Sequence, residues 1–127
     1  MLRRLIGLMF VAVLLLPGLA LAVEPEDFQV TATRELIDLC STHPDDPLYA
    51  QAIHFCHGYL VGAVHYYLAS MSGPGSVKLV CLPEPRVSRT EAVKMFVDWA
   101  KAHPQYMDEL PVETEFRFLI EKWPCKE

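Results

Sequence analysis

The sequence has 127 residues and lacks the motifs that mark several classes of enzyme. It contains no G-x-S-x-G element around a nucleophilic serine and no glycine-rich loop that could bind a phosphate group. None of its cysteines forms a C-x-x-C pair, and no H-x₃₋₅-H segment follows them, so the usual support for a zinc site or a thioredoxin-like redox centre is missing. We therefore expect a non-enzymatic protein without catalytic residues, cofactor or bound metal.

Basic residues are also scarce. The chain has 11 lysines and arginines against 16 aspartates and glutamates, which gives a formal charge of −5. Nucleic acids and anionic lipids are bound through basic surfaces, so this composition disfavours both as partners.

The N-terminal segment has the three-part layout of a secretory signal peptide: two arginines, an apolar run over residues 5–16, and Ala-Leu-Ala at 20–22. The alternative is a membrane-anchoring helix, but a run of about 12 residues is shorter than the roughly 20 that a spanning helix needs. We predict a signal peptide at residues 1–22 and one α-helical domain at 23–127, located in the periplasm and free of the membrane after cleavage. Cleavage leaves 9 basic and 16 acidic residues, a formal charge of −7.

Four cysteines remain in the predicted domain: Cys40, Cys56, Cys81 and Cys125. An even number of cysteines in a small exported domain indicates two structural disulfides. Paired cysteines leave no thiolate, which argues against papain-like Cys/His chemistry.

Hydrophobic periodicity and helix-stop signals predict an all-α fold. The predicted helices are, in order, residues 32–40, residues 48–71, a helix after the capping-box serine Ser88 that is bounded by Pro104, and a helix from Pro111 that is bounded by Pro124. The sequence SGPGS separates the second helix from the third, because no helix interior tolerates it. We expect a compact four-helix bundle stapled by two disulfides.

The pattern of the fourth helix also predicts which of its faces is buried. Its apolar positions are Val112, Phe116, Leu119, Ile120 and Trp123. Arg117 is spaced to pair with Glu113 and Glu121 at i,i+4 on the solvent side. We therefore expect the five apolar side chains to face the core.

Four cysteines allow three disulfide pairings. The third and fourth helices are joined by a short connection and should run antiparallel, which brings the end of the fourth helix beside the start of the third. This geometry favours a Cys81–Cys125 bridge and leaves Cys40 to pair with Cys56.

The second helix reads FCHGYLVGAVHYYL in its middle and is apolar almost all the way round, so we expect it at the centre of the bundle. Gly58 and Gly62 lie on one of its faces and lower helix stability by roughly 1 kcal/mol each relative to alanine. They predict a groove that another helix or a partner's side chain can approach, the alternative being two glycines without a role.

The histidines of this helix suggest a metal site only at first sight. His54 and His57 are neighbours at i,i+3, but His65 lies about 12 Å beyond His57 along the axis, too far to share one ion. Without a third ligand, we expect histidines that hydrogen-bond and titrate.

Five short motifs occur in order along the chain: LC at 39–40, FCHGYLVG at 55–62, CLPEPRVSRTEAV at 81–93, AHPQ at 102–105 and WPC at 123–125. Together, over about residues 36–125, they resemble the Rap/Tai family of periplasmic immunity proteins. The resemblance implies a small α-helical, disulfide-bonded, often dimeric protein. Such proteins bind a peptidoglycan amidase delivered by type VI secretion and obstruct its active-site cleft.

The resemblance also implies roles for individual residues. The four cysteines match the family's framework, and Gly58, Tyr59 and Gly62 match its central-helix signature. Three prolines match its turns: Pro83, Pro104 and Pro124.

The loop after the second helix is the predicted contact region for a protein partner, because tyrosines beside a tip of small residues suit an interface. The predicted contact residues are Tyr66, Tyr67, Ser70, Ser72, Gly73, Gly75, Ser76 and Lys78. The alternative is an ordinary connector. A different class of function is a periplasmic chaperone or envelope-stress protein without a dedicated toxin, in which the histidines respond to acid.

Overall fold

The computed structural model describes residues 22–126, and the predicted signal peptide lies outside the described residues except for Ala22. Four α-helices form the described domain: α1 (Thr33–Cys40), α2 (Tyr49–Ser70), α3 (Arg89–Lys101) and α4 (Pro111–Lys122). Short 3-10 turns occupy Pro25–Gln29 and Pro104–Tyr106. The all-α four-helix prediction is confirmed. Among residues 22–126, no helix combines the length and apolar character needed to cross a membrane.

The helix ends follow from local capping chemistry. Ser88 Oγ accepts a hydrogen bond from the backbone N–H of Glu91 at 3.1 Å, so α3 begins where the capping pattern predicts. Pro111 occupies the first turn of α4, where its missing N–H costs nothing. The observed bounds of α1 and α2 lie within one residue of those predicted.

Helix α2 is central, as predicted, and packs against the other three helices. It buries Ala52, Cys56 and Leu60. The core around it collects buried side chains from every helix and from the segment between α2 and α3: Leu36, Ile37, Cys56, Leu60, Val80, Val93, Phe96, Val97, Ala100, Phe118 and Leu119.

Both disulfides have the predicted partners. Cys40 at the end of α1 is bonded to Cys56 on α2, with Cα atoms 5.2 Å apart. Cys81 is bonded to Cys125, with Cα atoms 4.8 Å apart. Beside this second bridge, the N–H of Cys81 donates to the carbonyl oxygen of Trp123 at 2.9 Å, and the N–H of Cys125 donates to that of Leu79 at 3.2 Å. The connector between α2 and α3 is thereby clamped to the end of α4.

The predicted buried face of α4 is partly wrong. Leu119 is buried, but Val112 and Ile120 are 37% and 39% exposed. The face that enters the core consists of Pro111, Thr114, Glu115, Phe118 and Leu119. Helix α4 is therefore rotated about its axis relative to the prediction. Thr114 and Glu115, which the hydrophobic pattern assigns to solvent, are buried instead.

Arg117 also differs from the prediction. Its guanidinium donates to both carboxylate oxygens of Glu109, from Nε at 2.8 Å and from Nη2 at 3.0 Å. It also lies over the ring of Tyr106, 4.8 Å from the centroid. A bidentate pair combined with a cation–π contact outweighs the single i,i+4 pairs with Glu113 or Glu121.

Two threonines join α1 to α4 inside the core. Thr33 and Thr114 are both fully buried, and their hydroxyl oxygens are 2.7 Å apart. Thr114 Oγ1 donates to the carbonyl oxygen of Tyr106 at 3.2 Å. The backbone N–H of Thr33 donates to the carbonyl oxygen of Glu109 at 2.9 Å, which satisfies a free donor at the start of α1. The hydrogen bonds offset the desolvation of both hydroxyls and fix how α4 faces the core.

We predict that Thr33→Val and Thr114→Val each lower the free energy of unfolding by about 1–3 kcal/mol, because each leaves buried polar groups without a partner. The double variant should lose less than the sum, since the two hydroxyls serve each other. Urea unfolding of the three variants, followed by circular dichroism, measures the coupling. Strictly additive losses would show that the hydroxyl pair does not join the helices.

Candidate functional site

The loop after α2 spans residues 71–79 and is exposed from residue 72 onward. The hydroxyls of Ser70 and Ser72 donate to carbonyl oxygens in the last turn of α2, at 2.8 and 2.7 Å. Ser76 Oγ lies 2.7 Å from the carbonyl oxygen of Met71 and closes the loop onto itself. These hydrogen bonds restrict the conformations of the loop, so its serine hydroxyls are used within the protein.

All eight predicted contact residues lie in or directly before this loop: Tyr66, Tyr67, Ser70, Ser72, Gly73, Gly75, Ser76 and Lys78. Gly75 has φ = +80°, a left-handed conformation that side chains disfavour, so glycine is required at this turn. The side chains that project from the loop are apolar as well as polar, because Val77 is 75% exposed and Leu79 is 55% exposed. Sequence reasoning had not selected these two residues.

The adjacent tyrosines differ in their environment. Tyr66 is 78% exposed. The ring of Tyr67 packs on Phe116 of α4, with centroids 5.1 Å apart. Its hydroxyl accepts hydrogen bonds from the N–H groups of Leu79 at 2.8 Å and Val80 at 3.0 Å. Tyr67 therefore holds the far end of the loop, and Tyr66 is left available for contact.

The end of α2, the loop after it and α4 carry five apolar or aromatic side chains in addition to Tyr67. They are Tyr66, Val77, Leu79, Phe116 and Ile120, which we call the loop–helix surface. Phe116 touches Tyr67, and Ile120 follows Phe116 by one helical turn on the exposed side of α4. Tyr66, Val77, Leu79 and Ile120 are exposed, and exposed large apolar side chains are candidates for an interaction surface.

The two glycines of α2 are exposed. A β-carbon built at Gly58 or Gly62 would meet no atom within 4 Å from other parts of residues 22–126. Tyr59, the third residue of the predicted signature, is half-buried and lies beside Phe55, with ring centroids 6.4 Å apart. The described chain therefore does not fill the groove at the glycines, and its role in partner contact stays a prediction.

A second feature is a cavity formed by residues of several helices. This cavity of about 300 Å³ opens between α2, α3, α4 and the connector before α3. Its lining is largely apolar, but one wall is formed by Glu115 of α4. We call it the Glu115 cavity. Elsewhere among residues 22–126, no three His, Cys, Asp or Glu side chains are grouped closely enough to hold a metal ion.

Glu115 is only 3% exposed, and its Oε2 atom has no hydrogen-bond partner within the described chain. Burial raises the pKa of this carboxyl from 4.5 to about 9. Burial, followed by the nearby Glu115 carboxyl, also raises the pKa of the Tyr59 phenol. At neutral pH, Glu115 therefore keeps its proton and is a neutral hydrogen-bond donor.

Sequence reasoning missed Glu115, although a signal was present. Pro111, Glu115, Phe118 and Leu119 fall at i, i+4, i+7 and i+8, which is the spacing of a buried helix face. The predicted face did not include this glutamate, and an ionised carboxyl is rarely buried without a partner.

Alanine at Gly58 or Gly62 should raise the free energy of unfolding by about 0.5–1 kcal/mol, because the helix gains propensity and the β-carbon has open space. Gly75→Ala is the matched control and should destabilise the protein, because φ = +80° strains an L residue. Thermal and urea unfolding of the three variants test this. A destabilised Gly58→Ala variant would mean that the glycine face is already packed.

Glu115 should make stability depend on pH. The unfolded carboxyl loses its proton near its ordinary pKa of 4.5, whereas the folded one retains it until about pH 9, so stability falls as pH rises through this window. Between pH 5 and 8, Glu115→Gln should gain on the order of 3 kcal/mol relative to the wild type. The surrounding groups that also titrate or carry charge are Tyr59, His65, Arg86 and Arg89.

Urea unfolding at each pH measures this difference. Glu113→Gln, which removes an exposed carboxyl from the same helix, should leave the pH dependence as in the wild type. Parallel stability curves for the wild type and Glu115→Gln would show that Glu115 is ionised in the folded protein.

The sequence matches the family model of Rap1a immunity proteins over residues 32–125, which include all four helices and both disulfides. No curated protein and no solved structure matches the chain significantly. This chain belongs to the Rap1a immunity protein family.

Proposed function

We propose that this protein is a periplasmic immunity protein that binds a peptidoglycan amidase effector of type VI secretion and blocks its active-site cleft. Membership of an immunity family implies a toxin protein as the partner. The periplasm is supported by the signal-like N-terminal segment and by two disulfides, since such bridges persist in oxidising compartments. An amidase that acts on the cell wall would meet its inhibitor in that compartment.

The observation that carries the proposal is the loop–helix surface. Its loop is bonded internally through serine hydroxyls and is held at its far end by Tyr67. A segment that is already restricted before binding loses less conformational entropy in the complex. The exposed ring of Tyr66 then offers an aromatic anchor, and the exposed side chains of Val77 and Leu79 offer apolar contacts, a common composition for the centre of an interface.

Charge supports a particular kind of partner. The chain carries 16 acidic and 11 basic residues, and the two arginines of the predicted signal peptide are among the basic ones. An acidic inhibitor is attracted to a basic enzyme surface, which mainly accelerates association. The exposed loop contains one lysine, Lys78, and no acidic residue, so the loop is positively charged although the chain as a whole is acidic.

The face of α2 that carries Gly58 and Gly62 is a second region proposed to contact a partner. Gly58 and Gly62 leave the helix backbone open to an approaching group. The resemblance to often dimeric proteins suggests that a second copy of the chain or the toxin occupies this face. Sedimentation of the purified protein alone and with toxin distinguishes these two occupants.

We predict that Tyr66→Ala weakens toxin binding by about 2 kcal/mol, or roughly 30-fold, because it removes the exposed aromatic anchor. Leu110→Ala is the matched control: Leu110 is 56% exposed but lies before the first turn of α4, at the end of that helix away from the Cys81–Cys125 bridge. Calorimetric titration with a candidate cell-wall amidase effector measures both affinities. Co-expression of the amidase in the periplasm gives the matching survival assay.

Two results would count against the proposal. An amidase that neither binds the wild-type protein nor is inhibited by it would remove the amidase as partner. Equal affinities for the wild type and Tyr66→Ala, with a loss in Leu110→Ala, would move the binding surface to the other end of the bundle.

A further inference from the structure

The Glu115 cavity has the size and lining of a small-molecule site. Its volume of about 300 Å³ lies at the lower end of the range for ligand pockets, roughly 300–1,000 Å³. Apolar side chains from all of the surrounding elements form most of its wall, among them Leu60, Val64, Leu82, Phe96, Phe118 and Trp123. Such a lining suits an aliphatic chain.

Glu115 adds one specific polar contact to this apolar wall. Its Oε2 atom is buried and has no hydrogen-bond partner among residues 22–126, an exception to the rule that buried polar groups are paired. Because burial holds its pKa at about 9, the side chain is protonated at neutral pH and can donate a hydrogen bond. Glu115 is among the residues that line the cavity, so its carboxyl is the buried polar group that a ligand oxygen there would approach.

The mouth of the cavity carries positive charge in an otherwise acidic protein. Arg86 and Arg89 both line it, and both are exposed. Arg86 has one weak contact with Glu84, 3.4 Å away between side chains that are 58% and 78% exposed. His65 lies on the same rim. Guanidinium groups match the planar geometry of a carboxylate, so this rim favours a ligand with an anionic end.

We propose that the Glu115 cavity binds a medium-chain carboxylic acid that carries a hydroxyl or carbonyl oxygen along its chain. The carboxylate lies at Arg86 and Arg89, the chain fills the apolar interior, and the chain oxygen accepts a hydrogen bond from Glu115. At about 30 Å³ for each water-sized group, the cavity holds about ten such groups, which corresponds to a chain of about eight to ten carbons. The site is separate from the loop–helix surface.

Fluorescence of Trp123 reports binding at this site. The chain has two tryptophans, and of these only Trp123 lines the cavity, so a Trp99→Phe protein carries a single reporter. The probes are 3-hydroxydecanoate, decanoate and decanol, each titrated below the concentration at which it forms micelles. We expect 3-hydroxydecanoate to bind about fivefold more tightly than decanoate, as for one added hydrogen bond, and decanoate to bind more tightly than decanol.

Variants separate the two polar contacts. Glu115→Leu keeps the volume and should bind decanoate but lose the preference for the hydroxylated acid, whereas Glu115→Gln retains a donor and should keep that preference. Arg86→Gln with Arg89→Gln should abolish the preference of decanoate over decanol. Lys94→Gln with Lys122→Gln is the matched control for charge, because both lysines are exposed and neither lines the cavity, and it should leave every affinity unchanged.

Titrations of the Trp99→Phe protein without further substitution can by themselves overturn the proposal. Absence of a Trp123 response to all three probes would show that the cavity takes no such ligand. Equal affinities for decanoate and decanol would remove the role of the arginines, and equal affinities for decanoate and 3-hydroxydecanoate would remove that of Glu115.

Discussion

The disulfide between Cys81 and Cys125 is the constraint on which the loop–helix surface and the Glu115 cavity both depend. It joins residues that are 44 positions apart in sequence and fixes the connector between α2 and α3 against the end of α4. Backbone hydrogen bonds from Cys81 to Trp123 and from Cys125 to Leu79 extend the attachment on either side. Near this point the connector is largely exposed, apart from the buried side chain of Val80. Few apolar contacts therefore hold the connector to the helices, and the disulfide holds it there instead.

Two features follow from this clamp. On one side, Leu79 is held where its N–H reaches the hydroxyl of Tyr67, which fixes the end of the loop beside Phe116. On the other side, Leu82 and Arg86 continue along the connector and complete the wall and the mouth of the Glu115 cavity. Helix α4 serves both features, because it turns Phe116 toward the loop and Glu115 toward the cavity. A single covalent attachment thus organises the proposed protein-binding surface and an apolar pocket in a domain with a small core.

The parts of this fold that depend on local chemistry could be predicted from the sequence. The Ser88 cap, the proline at the start of α4 and the glycine-proline loop set the helix bounds, and the short connection from α3 to α4 was enough to pair the cysteines. What failed was the orientation of α4. Hydrophobic periodicity treats Thr114 and Glu115 as solvent-facing, but a hydroxyl paired with Thr33 and a carboxyl that keeps its proton can both be buried. The partner of Arg117 lies eight residues away and before the helix begins, which the i,i+4 spacing rule does not contain.

Peptide mapping of unreduced, alkylated protein isolated from the cell envelope tests the covalent framework most directly. The structure requires one cross-linked peptide that contains Cys40 and Cys56 and another that contains Cys81 and Cys125, with no alkylated cysteine. Alkylation of all four cysteines, or cross-links between other pairs, would contradict the framework and with it the placement of the loop and the cavity.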